Sequence, residues 1–468
     1  MNYAGINDSA GKPRIWPLGR LAADTLLSLH SYDSQRYPYL LESSAVGRQA
    51  SQVDMLLSFP GEGLSLHAHK GLVVPSELGD VASGMFLEGL DEWWRRYRIP
   101  HIPHSLPFHG GWFIYLSYEL SAQVEMCLQS SIKPGAKQLI AQAVRVPAGI
   151  IRNSSHGESW FVSEDDDEAD SRFNQLSIDL AAVRDQFMSS TSIAVHLLQE
   201  EPSQSFMQAI EVAQAHITSG DIYQANLSRG WQAQVANNSA TVLYRRLKVS
   251  NPGPFAGSAR LSHDHSIISS SPERLIELRN GWVNTRPIAG TRPRNVDANL
   301  DQLLVEELRS HPKERAEHIM LLDLERNDLG RICQGGTVEV DEYMQIESYR
   351  HVHHIVSNVR GRLQAGITPG MAIAAVFPGG TITGCPKVRC MEIIAGLEPE
   401  ARGAYTGSMG YLNRDGSMDL NILIRTLELQ GSTLSFRAGA GIVADSIPER
   451  ELEETRAKAL GLLRAIQD

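Results

Sequence analysis

The 468-residue sequence predicts an α+β fold on three observations. Through residue 190, short apolar runs alternate with turn residues at the spacing of strands. Asn280-Gly281 separates two β-type runs, the sequence form of a tight two-residue hairpin. Between such runs lie stretches of helical periodicity, as over Ser205–Thr218 and Asp301–Asp328.

Taken in order, Tyr37–Ser43 reads as a turn entering a strand, and Asp54–Phe59 as the next strand. Phe86–Tyr97 has helical spacing with Leu90, Trp93 and Tyr97 on one side, which reads as core. Gly110–Tyr118 is apolar and aromatic enough for a buried strand. The acidic run Glu164–Glu168 reads as a solvated loop. Residues 189–204 are polar and Ser-rich and divide an amino-terminal region (1–190) from a carboxy-terminal one (200–466). Asp221–Ser228 then reads as a strand, and Ile267–Leu278 with Trp282–Thr285 as the hairpin's two arms. The helical stretch 301–328 is expected to break near Ser310-His-Pro312.

Composition narrows the function. Hydrophobic content of 42% and charged content of 21% are those of a soluble globular protein. The net charge of −11 argues against a nucleic-acid binder, whose phosphate contacts need a basic surface. An acidic small molecule would need local positive charge or a metal ion. The four cysteines, Cys127, Cys333, Cys385 and Cys390, are too scattered for a disulfide framework or zinc motif, so a reducing cytoplasm is expected. The amino terminus lacks the order of a signal peptide. The uncharged run Leu363–Pro386 is broken by Pro369, Pro378 and several glycines, so no membrane span is expected.

Two features point to chemistry. In Phe377–Ile394, Gly380, Thr381, Thr383 and Gly384 precede Pro386, which reads as the first residue of a helix. Free backbone N–H groups at such a start attract anions, and glycine lets a ligand approach the main chain. Second, Glu314 and Glu317 lie three apart on one predicted helix, and Glu451 and Glu454 repeat the spacing on another, with Lys458 one turn on. Ser446-Ile-Pro-Glu449 has the form of a capping box, which makes Glu449 a cap. Two carboxylate pairs can converge on a hard cation such as Mg²⁺; the spacing equally describes two solvated helix faces.

From about Ser205 to Ile466 the chain resembles the chorismate-utilising enzymes: anthranilate synthase component I, aminodeoxychorismate synthase component I, and the isochorismate and salicylate synthases. The resemblance is carried by Gly220–Ser228, Ser271-Pro-Glu-Arg274, Arg286–Arg294, Lys313–His318, Asp323–Gly330, His351–Ser357, the Phe377–Ile394 stretch, Gly407–Tyr411, Ile424-Arg-Thr426 and Ala438–Ser446. It reaches the first half more weakly, through Leu40–Ser43 and Gly110-Gly-Trp112. It implies a large antiparallel-sheet sandwich with outer helices.

It also implies roles. Glu314, Glu317, Glu451 and Glu454 match positions that hold Mg²⁺. Arg425, Tyr405, Lys458, Gly439 and Gly384 match positions that bind the carboxylates of chorismate. Glu273 matches the general acid for the departing ring hydroxyl, and His354 the histidine near that group in the anthranilate enzymes. Thr381 and Thr383 either orient substrate or complete the turn. Leu41, Glu42, Ser43, Asn251, Pro252 and Phe255 resemble the family's tryptophan pocket.

Position 224 divides the family. Hydrating members resemble one another in carrying a lysine base there; Gln224 cannot act as a base, so amination by ammonia is expected. Asn226 in Tyr-Gln-Ala-Asn-Leu-Ser, the Gly-Gly-Thr-Ile-Thr-Gly form at 379–384 and Asn251–Phe255 resemble the aminodeoxychorismate branch. Ala289 resembles anthranilate synthases, since many aminodeoxychorismate enzymes have a nucleophilic lysine there. No cysteine lies in a Gly-x-Cys-x-Gly elbow, so ammonia is expected from a glutamine amidotransferase subunit or from free ammonium.

Overall fold

Tyr39 and Phe113 stack with ring centroids 3.8 Å apart, and each belongs to a different antiparallel sheet. The computed structural model describes residues 12–43, 53–79, 81, 83–101, 106–136, 138–184, 193–236, 239–349 and 352–467. Part of the 189–204 boundary, His351 and the amino-terminal residues 1–11 lie outside them.

Among the described residues, one sheet has 12 strands and the other 11. Each runs from strands of residues 14–163 into strands of the second half. The joins are Tyr39–Glu42 beside Phe255–Arg260 in the first sheet and Gly111–Leu116 beside Ser408–Asn413 in the second. Strand alternation sends one set of side chains between the sheets and the other outward. Leu57, Val162 and Ile267 of the first sheet thus meet Phe113, Tyr115 and Met409 of the second in a shared apolar layer.

The outward faces are closed by helices. Thr25–Tyr32, Ala169–Val183, Ala240–Ser250 and Pro448–Gln467 cover the first sheet, and Phe86–Tyr97, Pro312–Gly330 and Pro369–Val376 the second. Each helix buries one apolar stripe, as Phe86, Leu90 and Trp93 do. Truncating the fully buried Trp93 would cost about 3–5 kcal/mol. This is the expected sandwich with outer helices.

Several expectations are met and others corrected. The 301–328 helix breaks at His311, giving Ala298–Ser310 and Pro312–Gly330. Asn280 and Gly281, both at positive φ, form the hairpin turn. The arm expected over Ile267–Leu278 is two strands, because Pro272 cannot donate to a ladder: His265–Ser271 lies in the first sheet and Arg274–Arg279 in the second. The strand expected at Asp221–Ser228 starts at Gln224 and runs to Val235. Pro386 is the residue before the helix Lys387–Leu397 rather than its first residue. The Ser446 hydroxyl accepts from the Val443 N–H at 3.1 Å, and Pro448 starts the helix, so the capping box does not form. Glu164 is buried between Arg145 (2.5 Å) and Arg414 (3.1 Å), not solvated.

Candidate active site

Two helices and one strand bring the predicted carboxylates together. Glu314 and Glu317 face inward from Pro312–Gly330, and Glu451, Glu454 and Lys458 come from Pro448–Gln467. Glu317 Oε1 accepts from Gln224 Nε2 at 2.8 Å, at the start of the strand Gln224–Val235. Burial, then the charges of Glu314 and Glu454, hold the Glu317 carboxyl above its ordinary value, against the pull of Gln224 and Lys458. The two helices therefore do converge.

Glu314 and Glu454 also have cationic partners. Glu314 Oε1 accepts from Arg292 at 3.0 Å, and Glu454 Oε1 pairs with Lys458 Nζ at 2.7 Å. Lys458 also donates to Gly439 O at 3.0 Å. Among the described residues, no three His, Cys, Asp or Glu side chains form a ready ligand group. Several hard oxygen donors crowded against their own repulsion nonetheless fit a hard cation such as Mg²⁺. Gln224 Oε1, buried with no hydrogen-bond partner among the described residues, is a further oxygen donor beside them.

Glu273 occupies the Pro272-Glu273 step between the two sheets and is 5% exposed. Burial pushes its carboxyl up to about 8, with the Glu325 carboxyl adding; Thr381, the Ile288 N–H and Arg425 pull the other way. A carboxyl with this value holds its proton at neutral pH. Arg425 stands in the left-handed region at φ 53 and faces both Glu273 and His354.

His354 Nδ1 lies 2.8 Å from Thr291 Oγ1, while Nε2 is buried with no hydrogen-bond partner among the described residues. Burial and then Arg425 push this imidazole down to about 3. It is neutral and weakly basic. The buried Tyr405 hydroxyl is pushed up to about 12 by burial and meets the space over Gly439: a Cβ there would lie 2.5 Å from that oxygen and 2.7 Å from Asn226 Oδ1. Glycine is required at that close approach. Thr383 Oγ1 donates to Gly379 O at 3.0 Å, so it completes the turn. Gly384, at φ 137, pairs with Ala225 in the sheet.

The arrangement is a held proton on Glu273, an arginine facing it, a tyrosine and a lysine over glycines, and a carboxylate cluster opposite. Residues 83–464 match the protein family described as chorismate binding enzyme. The chain belongs to the chorismate-binding enzymes. It is 37% identical over 454 residues to aminodeoxychorismate synthase component 1 of Bacillus subtilis, covering 93% of this chain and 92% of that one. It is 33% identical over 490 residues to anthranilate synthase component 1 of Bacillus pumilus, covering 99% and 94%. Anthranilate synthase component I of Streptococcus pneumoniae superposes with a TM-score of 0.73 at 29% identity, covering 88% and 92%. The menaquinone-specific isochorismate synthase MenF of Escherichia coli shares the fold, with a TM-score of 0.74 at 19% identity.

The site of this chorismate-binding enzyme includes residues that single-residue reading of the sequence passed over. Glu325 is buried, with its own carboxyl raised by burial and by Asp328, and its charge acts on Glu273. Thr291 fixes the His354 ring and Arg292 holds Glu314. All three lie inside quoted motif blocks, but only the tertiary contacts assign them a role.

The residues resembling a tryptophan pocket divide. A cavity of about 280 Å³ between the sheets is lined by Phe255 together with Met55, Tyr411, Arg274 and Asp419. Leu41 faces the same inter-sheet layer, but Glu42, next on the strand, faces the opposite way. Glu42 accepts there from Tyr244 (2.6 Å) and Lys248 (2.8 Å). Ser43 N donates to Asp54 at 3.3 Å, and Asn251 and Pro252 follow the helix Ala240–Ser250.

Proposed function

We propose that this chain is the synthase component of an aminodeoxychorismate synthase, which aminates chorismate with ammonia to 4-amino-4-deoxychorismate for 4-aminobenzoate and folate synthesis. It works in the cytoplasm, with Mg²⁺ held by Glu314, Glu317, Glu451 and Glu454 and with ammonia supplied by a glutamine amidotransferase subunit. The observation that carries this reading is the burial of Glu273 and His354 on either side of Arg425, which raises the carboxyl and leaves the imidazole feebly basic.

Arg425, Tyr405, Lys458 and the backbone at Gly439 and Gly384 bind the substrate's carboxylates. Bound Mg²⁺ would neutralise the glutamates and ligate one of those carboxylates. Glu273 gives its proton to the departing ring hydroxyl, which leaves as water as ammonia forms the new C–N bond. One ammonium proton then returns to the carboxylate. Anthranilate formation needs a further step, removal of a ring proton to expel pyruvate. An imidazole with a value of about 3 is a poor base for it.

The second reading is anthranilate synthase component I, favoured by Ala289, which is 5% exposed and cannot supply a lysine nucleophile. The test is incubation of the chain with chorismate, Mg²⁺ and ammonium. The expected product is a non-aromatic amine that yields 4-aminobenzoate only after a lyase is added, with no trapped covalent adduct. Fluorescent anthranilate appearing directly would select the second reading.

A further inference from the structure

Arg292 stands between two carboxylates that belong to different helices. It lies on the strand Ile288–Pro293, which pairs with Val352–Arg362, and its guanidinium reaches both sides of the helix break at His311. Nη1 donates to Glu314 Oε1 at 3.0 Å and to Thr291 O at 3.0 Å. Nε and Nη2 donate to Glu307 Oε1 at 3.3 Å and 3.2 Å. Glu307 belongs to Ala298–Ser310 and Glu314 to Pro312–Gly330, so one side chain ties the facing ends of the two helices.

The two arms of this fork differ. The Glu307 side chain is 53% exposed, the Glu314 side chain 20%. Glu314 also has little room to turn. His311 caps its helix by accepting from the Glu314 N–H, and a Cβ on Gly290, at φ 67, would lie 2.8 Å from Glu314 Oε2. Oε2 is thus pressed against the strand that carries Arg292, and Oε1 is the oxygen the guanidinium holds. A metal ion arriving at that carboxylate meets a positive charge already on it, and the two repel. Giving up this one bond does not strand the guanidinium, because Glu307 and Thr291 O still accept from it. An arginine left without a carboxylate in a part-buried place would be costly, and Glu307 removes that cost.

We propose that Arg292 is the counter-ion of the glutamate cluster: it holds Glu314 when no cation is bound, and yields Glu314 to Mg²⁺ by resting on Glu307. The inference rests on the Mg²⁺ reading given above. Glu307, outside the cluster, then sets how easily the cluster accepts its metal.

The test is calorimetric titration of the full chain with Mg²⁺ alone, no substrate added. Arg292→Gln should tighten the Kd about 10-fold, the scale of one charged hydrogen bond that binding no longer breaks. Glu307→Gln should weaken it about 3-fold, the scale of a half-exposed ion pair, because the guanidinium loses its second carboxylate. In the double variant the Glu307→Gln effect should vanish, since it acts only through Arg292; a through-space charge effect would persist. Glu307→Gln alters a half-exposed side chain, so it reads the proposal even where Arg292→Gln does not fold. Weaker Mg²⁺ binding by Arg292→Gln overturns the proposal, because Arg292 would then orient Glu314 for the metal. An unchanged Kd in Glu307→Gln, or an effect kept at full size in the double variant, overturns it too. In each of these cases the Mg²⁺ reading stands. A wild-type chain that binds no Mg²⁺ overturns the reading and the proposal together.

Discussion

Glu273 and Arg425 stand on the two adjacent chain segments that cross from one sheet to the other. His265–Ser271 and Thr426–Gln430 pair in the first sheet, Arg274–Arg279 and Met418–Asn421 in the second. The crossings are stitched by Ile422 N to Glu273 O at 3.0 Å and Ser270 N to Arg425 O at 3.2 Å. An acid and a cation are therefore fixed relative to each other by main chain. Preorganisation of this kind spares the cost of arranging charges during the reaction.

The held proton on Glu273 makes activity pH-dependent. The protonated form is the working acid, so kcat/KM should fall as pH rises through about 8. Glu273→Gln should lower kcat by roughly 10²–10⁴-fold and remove that limb of the profile. The folded protein binds this proton more tightly than the unfolded chain does. Stability should therefore also fall as pH rises from 4.5 to about 8. Steady-state rates from pH 6 to 10 check the first point; a wild-type profile retained by Glu273→Gln would remove the acid assignment.

Chelation should abolish turnover, and added Mg²⁺ should restore it. Glu317→Gln and Glu454→Gln should each weaken the dependence on Mg²⁺ by roughly 10–100-fold, the scale of losing a metal-site partner. Titration of activity against Mg²⁺ in each variant measures this. Full activity in excess chelator would refute a role for the cation.

The purified chain should use ammonium salts and not glutamine. Glutamate release from glutamine should appear only when an amidotransferase subunit is added. Coupled glutamate and chorismate assays decide the point, and glutamine-dependent turnover by the chain alone would contradict it.

The buried ion-pair group of Glu398, Arg402 and Arg437 should be a large contributor to stability. Glu398 is buried between Arg402 and Arg437, and Glu398→Ala would leave the buried Arg402 without its carboxylate partner, costing about 3–5 kcal/mol. Although burial opposes it, Arg402 followed by Arg437 holds this carboxyl below its ordinary value of 4.5. Its contribution should be fully present above pH 4.5 and lost as pH falls through the lower folded value. Urea unfolding of both proteins at pH 7 and pH 4 measures the difference, which should shrink at the lower pH.

Much was legible from sequence alone. Period-two and period-3.6 apolar patterns give the α+β content, because each strand or helix must bury one face whatever it packs against. Asn280-Gly281 and Ser310-His-Pro312 mark their turn and break through backbone preferences that are local to those residues. The i, i+3 glutamates share a helix face for the same local reason. Tertiary structure alone decided that the two glutamate-bearing helices converge on Gln224. It also decided that Pro272-Glu273 is a crossing between sheets, that Glu325 lies beside Glu273, and that Leu41 and Glu42 serve opposite layers. The acid's raised value and the histidine's lowered one likewise come from burial by residues far apart in the chain, and desolvation is a property of the packed interior that no local spacing encodes.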